Sequence, residues 1–514
     1  MKKFFQERKR IICILAPAVI GLVYLLLCFL NMRQSIWFDE SYSAYLMRFD
    51  FGKIWEFTSL DVHPPLYYFL LKVWAHLFGH EGATLRVMSA LIGALAILFI
   101  YLWVKYKYGA VAAIVSSFMV AISPIFVRYG QEMRMYTLVM LIVFAATYVL
   151  QLAIDNKKKR WWIIYALLVA AGMWTHYFCA FAWVAHLVYL AIIYKKKLFQ
   201  KKIVLTYILA VALFIPWMPS LWAQTKSVQQ SFWIGDTSVE SLASYATETL
   251  VYNRASETKG WLLVLFLVAS IVIVSLLIRY RKKLSMLITL AVVPIIVLVL
   301  LSMPPLEPMF VSRYVLYSMV AIYIIEGITL VLYTRKKLNA KKPKKLHWYK
   351  RPTVAIACVA IIMLGTTICG LVSVYSYGNY NFVTYKKSTS KDLLDNVITL
   401  DNYENLPIIS QDSWLYYDLS AYTSAEHPVL FIDEITEYEY GSQIPLQQSY
   451  FGKISDLDKF LESHDAIWFV GIQPEDREDL EFPREGWRVS MRSNLQFDDR
   501  SDAYQILKLE KEQI

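Results

Sequence analysis

Apolar residues fill most of the chain in runs of about twenty, broken by short polar connections, a pattern that predicts membrane-spanning helices. The runs fall near 11–30, 85–104, 110–127, 136–154, 161–178, 180–194, 203–219, 261–278, 284–302, 314–333 and 353–374. The first follows MKKFFQERKR and resembles a secretory leader. Its length and the lack of a small-x-small cleavage signal instead predict an uncleaved span. One apolar stretch, HPPLYYFLLKVWAHLFG at 63–79, has only about fifteen residues after its prolines, too few for a hydrocarbon core of roughly 30 Å. It predicts an interfacial helix in the first outer loop, opened by Pro64 and Pro65, closed by Gly79, with Tyr67, Tyr68 and Trp74 at headgroup level. Beyond residue 374 the pattern changes: LPIIS, HPVLFI, AIWFVGI and AYQILKLE predict strands, and SDLDKFLESH predicts a helix. The expected architecture is a multi-span α-helical membrane domain of about eleven spans at 1–374, followed by a soluble α/β domain at 375–514.

Composition agrees. Of 514 residues, 57% are hydrophobic, too many for one soluble domain. The formal net charge of +11 would ordinarily suggest nucleic acid, but the positive residues sit in alternate short connections. These connections (105–109, 155–160, 195–202, 279–283 and 334–351), with the first ten residues, hold about 29 Lys or Arg against about 2 acids. That bias places the N-terminus in the cytoplasm, and with an odd span count the C-terminal domain lies outside it. The basic charge is therefore a topology signal, and nucleic acid is not an expected partner. The five cysteines lie in apolar stretches without ligand spacing and read as buried thiols. In the tail, acids outnumber bases by roughly two to one. Asp412, Asp418, Glu434 and His464 there read as ordinary surface groups.

The unusual polar clusters outside the basic connections share the outer face. The first outer loop carries IWFDESYSAY, with Asp39 and Glu40, and then His63. The second carries SPIFVRYGQEMRMYTL, with Arg128, Tyr129, Gln131, Glu132 and Arg134. The third carries WTHYF, whose His176 reads as a packing residue. The fourth carries QQSFWIGD, and the fifth PPLEPMFVSRY, with Arg313 and Tyr314. Arginines on this side run against the positive-inside bias, so a local partner must hold them. Two are open: an anionic ligand, or an internal ion pair such as Arg128–Glu132 at i,i+4. Carboxylates, aromatics and arginines at a water–lipid boundary suit a reaction between a lipid-linked phosphate and a polar acceptor. A divalent cation held by Asp39 and Glu40 is a further open element.

The segments FDESYSAY, HPPLYYFLLKVWAHLFG with LRVMSALIGAL, and SPIFVRYGQEMRMYTLVML resemble membrane glycosyltransferases of the GT-C fold. The likeness is to bacterial members of glycosyltransferase family 39, protein O-mannosyltransferases and relatives of the lipid A aminoarabinose transferase, over roughly residues 1–335. It implies Asp39, with Glu40 beside it, as catalytic base. It implies His63 and the helix after it, including Tyr67, at the lipid phosphate, where the aminoarabinose transferases carry Lys before the Pro-Pro turn. It also implies Arg128, Tyr129, Gln131, Glu132 and Arg134 as substrate-binding residues; Arg313 with Tyr314, an arginine equally against the charge bias, is expected to join them. The implied donor is a sugar on a polyprenyl monophosphate, in bacteria undecaprenyl phosphate, transferred with inversion to a polar acceptor outside the membrane.

Two other classes compete with this reading. A transporter or flippase of lipid-linked sugars would carry ionisable groups near the bilayer midplane, whereas these spans hold few, Glu326 being an exception. A scaffold whose outer domain binds a partner would leave the loop residues without chemistry.

Overall fold

The computed structural model describes all residues except 1, 157, 196–197, 229–233, 305, 307, 340–351, 377–388, 402–403, 412, 423–427, 433–445, 447–451, 474–479, 497–502 and 513–514. The chain divides into two compact units, 1–32 with 86–219 and 232–375, and 33–85 with 220–231 and 376–514. The first outer loop thus groups with the C-terminal residues, whereas the sequence places a single division after residue 374.

The first unit is helical, and each of the eleven apolar runs is a helix or a pair of helices. By length and apolarity seven helices qualify as spans among the described residues. An eighth qualifies if Ala110–Ala121 and Pro124–Gly130, bent by 62°, count as one broken span. Lys159–Thr175, Cys179–Tyr194 and Ser285–Leu301, at 17, 16 and 17 residues, fall short of that length. The count of eleven is therefore matched in helices rather than in full-length spans. Tyr136–Asn156 and Ser312–Leu338 are central, each 83% buried, while Ile11–Phe29, Gly260–Tyr280 and Thr353–Ser376 are about one-fifth buried and present apolar faces outward. Cys358 lies on such an outward face, unlike the buried Cys28 and Cys179. Small residues allow Ser312–Leu338 to touch Ala110–Ala121. A Cβ at Gly327 would lie 2.4 Å from Ser116 Cα, and the Ser116 hydroxyl donates to Ile324 O at 3.2 Å.

The second unit contains a six-stranded mixed sheet of order β3-β2-β1-β4-β6-β5. The strands are β1 (Ile408–Ser410), β2 (Val429–Ile432), β3 (Lys453–Ile454), β4 (Ala466–Ile472), β5 (Trp487–Gln496) and β6 (Ala503–Lys511). The first four are parallel, and β6 and β5 add antiparallel. Ile409, Phe469, Leu507 and Leu461 meet in its core, the last from the short helix Leu457–Glu462, capped by Asp456 accepting from Lys459 N. The four predicted strands and the predicted helix are present, which makes this an α/β unit; β3 and β5 were not expected.

Candidate active site

In the second unit, Trp37 is extended and the helix Phe38–Leu46 starts after it, with Asp39 and Glu40 in its first turn. Carboxylates suit that end because the helix dipole is positive there. The two differ sharply: Asp39 is partly exposed, whereas Glu40 is fully buried. Adjacent helical positions point about 100° apart, so one carboxylate faces outward and the other inward.

The inward face is aromatic and is covered by the helix Ser413–Ser420 of the same unit. Phe38 meets Trp414 at 3.9 Å between ring centroids, and Tyr45 meets Tyr417 edge-on at 5.0 Å. Ser41 donates to Asp418, and Ile36 N donates to the Tyr422 hydroxyl at 2.7 Å. Asp418 is therefore a half-buried hydrogen-bonding partner of this helix rather than a surface group. Asp412 and Glu434 lie outside the described residues. His464 stacks on Phe460 at the surface.

The helix Leu66–Phe78 begins after Pro65 and stops at Gly79, whose φ of 104° suits a residue without Cβ. Its tyrosines depart from expectation. Tyr67 and Tyr68 are fully buried and Trp74 only partly. Tyr67 packs edge-on to Tyr68, which does the same to Tyr42. The aromatic rings fill the interior of the unit instead of forming a headgroup belt, because the helix Phe38–Leu46 offers them an aromatic face. His63 lies before this helix with Nδ1 3.6 Å from Asp61 Oδ2. Asp61, 4% exposed, was not anticipated; the D-x-H spacing before the prolines was its only signal.

In the first unit, the short helix Pro124–Gly130 carries Arg128 and Tyr129. Gly130 allows it to dock, since a Cβ there would meet the Tyr24 hydroxyl at 2.1 Å, and that hydroxyl donates to Phe126 O at 3.4 Å. Arg128 Nη1 lies 2.9 Å from Glu132 Oε2, with side chains 6% and 0% exposed. The internal ion pair weighed against an anionic ligand is thus formed, and it is buried rather than exposed. Arg134 is 3% exposed, its backbone N donating to Glu132 O at 2.9 Å. Gln131 donates to Leu27 O at 3.3 Å.

The helix Val239–Val251 brings further polar groups to this cluster. It ends at Tyr252, whose φ of 50° and ψ of 56° are left-handed and strained for a residue with a Cβ. Burial pushes the Tyr252 phenol up to about 12, against the opposing charge and hydrogen bond of Arg128. Glu248, also buried, is raised to about 7 by desolvation, moderated by a hydrogen bond from Ser312 and by the charges of Arg254 and Arg313. Tyr314 stacks on Phe178 at 4.6 Å, and His176 packs against it at 5.3 Å, so His176 is the packing residue expected. The second, fourth and fifth outer loops therefore converge within this unit. Glu248, Tyr252 and Arg254 were missed because they sit at a helix end with no spacing motif. Most of QQSFWIGD lies outside the described residues.

Four arginines, Arg128, Arg134, Arg254 and Arg313, gather here with Glu132 and Glu248; Arg128 and Arg134 are buried, Arg313 is half-buried and Arg254 exposed. Among the described residues no group of three or more His, Cys, Asp or Glu could hold a metal ion.

The family described as dolichyl-phosphate-mannose-protein mannosyltransferase matches residues 62–222. YkcB of Bacillus subtilis (strain 168), a proposed mannosyltransferase, is 28% identical over 167 residues, 30% of this chain and 23% of that protein. The match thus spans less than a quarter of this curated relative. ArnT from Cupriavidus metallidurans in its apo crystal structure is similar with a TM-score of 0.62 at 14% identity, covering 96% of this chain and 97% of that one. The crystal structure of the same enzyme bound to undecaprenyl phosphate gives 0.58 with equal coverage. The archaeal oligosaccharyltransferase AglB from Archaeoglobus fulgidus, in complex with an inhibitory peptide and a dolichol-phosphate, gives 0.51 at 13% identity, covering 90% and 69%. The protein is a multi-span membrane protein with the GT-C fold of these glycosyltransferases, as the sequence motifs imply.

Proposed function

We propose that the chain is an inverting glycosyltransferase that moves a hexosyl or pentosyl group from a polyprenyl-phosphate carrier to a polar acceptor outside the cytoplasm. The observation that carries this reading is the arginine-rich cluster, with Arg128 and Arg134 buried, on a GT-C fold, one example of which binds undecaprenyl phosphate. Positive-inside charge supports a cytoplasmic N-terminus and an extracytoplasmic C-terminal domain.

In the single displacement, the acceptor hydroxyl oxygen attacks the anomeric carbon while the bond from that carbon to the phosphate oxygen breaks. Asp39, the outward-facing carboxylate, takes the hydroxyl proton. Arg128, Arg134 and Arg313 stabilise the charge that collects on the departing polyprenyl phosphate. His63, oriented by Asp61, and Tyr129, Gln131 and Tyr314 shape the donor's surroundings. Glu40, Glu132 and Tyr67 hold these groups in place from buried positions.

The test is sugar transfer by the protein reconstituted in vesicles with undecaprenyl-phosphate sugars on the outer face. Asp39→Asn should remove transfer by at least about a hundredfold without changing the unfolding temperature, and the product should have the inverted anomeric configuration. Undiminished transfer by Asp39→Asn, or a retained configuration, overturns the assignment. Movement of a lipid-linked sugar across the bilayer without transfer would identify a flippase instead.

A further inference from the structure

At the other end of the Asp39 helix the second unit has a cleft that the transfer reading does not use. Ala44, Tyr45, Met47, Arg48, Lys72, His80, Ser420 and Ala421 line a cavity of about 440 Å³, a size that suits a small polar ligand. Its three basic residues come from separate places: the turn after Phe38–Leu46, the helix Leu66–Phe78, and the residue following Gly79. Arg48 lies nine residues beyond Asp39, about 13 Å along the helix direction.

Solvated cations on separate side chains are ordinarily a surface feature, but two of these are fixed. Lys72 Nζ donates to Met47 O at 2.6 Å, and Arg48 Nη2 donates to Ser420 O at 2.6 Å while its guanidinium lies 5.2 Å from the centre of the Tyr45 ring. Both anchors are neutral carbonyls, which hold position without cancelling charge. An ammonium has three donors and a guanidinium five, so each retains donors for a ligand. Among the described residues no carboxylate forms an ion pair with Arg48, Lys72 or His80. Partial desolvation at the cleft wall, and then the charges of Lys72, Arg48 and His76, hold the His80 imidazole below its ordinary range.

We propose that this cleft binds a phosphate-type oxyanion, a monoester or diester, through Arg48, Lys72 and His80. The site is separate from the transfer chemistry and goes beyond it. Such a group reaches the cleft either on a membrane lipid or on a soluble molecule.

The full chain in phosphatidylcholine nanodiscs would be titrated with radiolabelled glycerol 3-phosphate. In a second arm, phosphatidylglycerol retained by the protein after detergent extraction would be counted by mass spectrometry. Saturable binding in the first arm alone names a soluble phosphate. Retention in the second alone names a lipid headgroup, and both together name a site open to either. Arg48→Gln and Lys72→Gln should each weaken binding about tenfold, and His80→Gln, at an exposed position, should weaken it without disturbing the fold. Asp39→Asn should bind as the unchanged protein does, even if the transfer assignment fails. Absence of saturable binding in both arms, or full binding by folded His80→Gln and Lys72→Gln proteins, overturns the proposal.

Discussion

Replacing Glu132 by Gln tests whether the Arg128–Glu132 pair is as dry as its geometry indicates. The partner charges lie 2.9 Å apart on side chains 0% and 6% exposed, and unit charges about 4 Å apart attract by about 4 kcal/mol at an effective dielectric near 20. Desolvation offsets much of that in the intact pair. Removing one member leaves Arg128 buried with its charge uncompensated, which costs about 3–5 kcal/mol. Arg128→Gln should also destabilise, by taking from buried Glu132 the charge 2.9 Å away, but by less, because other arginines of the cluster remain. The double variant should cost far less than the sum, because neither charge then remains. Unfolding in micelles, followed by tryptophan fluorescence, gives all three values. Undecaprenyl phosphate should restore more stability to Glu132→Gln than to the unchanged protein, since its phosphate supplies the missing negative charge. A Glu132→Gln protein as stable as its parent, or additive losses in the double variant, would refute the claim that this pair is held out of water.

Glu248 sets a pH dependence. Its folded value of about 7 lies above the ordinary 4.5, so the folded state holds the proton more tightly and stability falls as pH rises between those values. The loss is on the order of 3 kcal/mol, and Glu248→Gln should flatten it in unfolding curves taken from pH 4 to 8. Tyr422→Phe removes the hydroxyl that accepts from Ile36 N and neighbours Ser35 Oγ at 3.2 Å. It should cost about 1–3 kcal/mol and speed hydrogen exchange in residues 33–46; unchanged exchange would show that this contact does not hold the loop. Gly327→Ala drives a Cβ into the backbone at Ser116 and should lower the unfolding temperature by several degrees, whereas Gly235→Ala, with open space around it, should leave it unchanged.

What the sequence reveals follows the range of the forces involved. An apolar run of twenty residues has one outcome in a bilayer, so the helices were legible individually, as was the stop at Gly79, where the backbone turns to φ 104°. The strand β5, WRVSMRSNLQ, was not, because it is largely polar and a register shift between Val489 and Met491 interrupts its alternation. Arg128 and Glu132 could be paired from their spacing, but their burial could not. The helix carrying Arg128 ends at Gly130, where Tyr24 docks, and Tyr252, far along the chain, approaches the pair. Glu248 and Arg254 join the cluster only through tertiary packing.

The domain division read from composition differs from the observed units for the same physical reason. Phe38–Leu46 has nine residues, too few to form a stable helix alone. Its buried face of Tyr42, Tyr45 and Leu46 announces that some partner must cover it, and the sequence around it cannot say which. The partner is the aromatic face of Ser413–Ser420, more than 350 residues later. The helix that presents Asp39 is thus stabilised by the C-terminal residues as well as by Tyr68 and Phe49 from its own loop. Disrupting Trp414 or Tyr417 should consequently loosen the Asp39 helix before it disturbs the membrane helices. Amide exchange resolved by segment tests that order, and simultaneous loss of protection in both units would refute it.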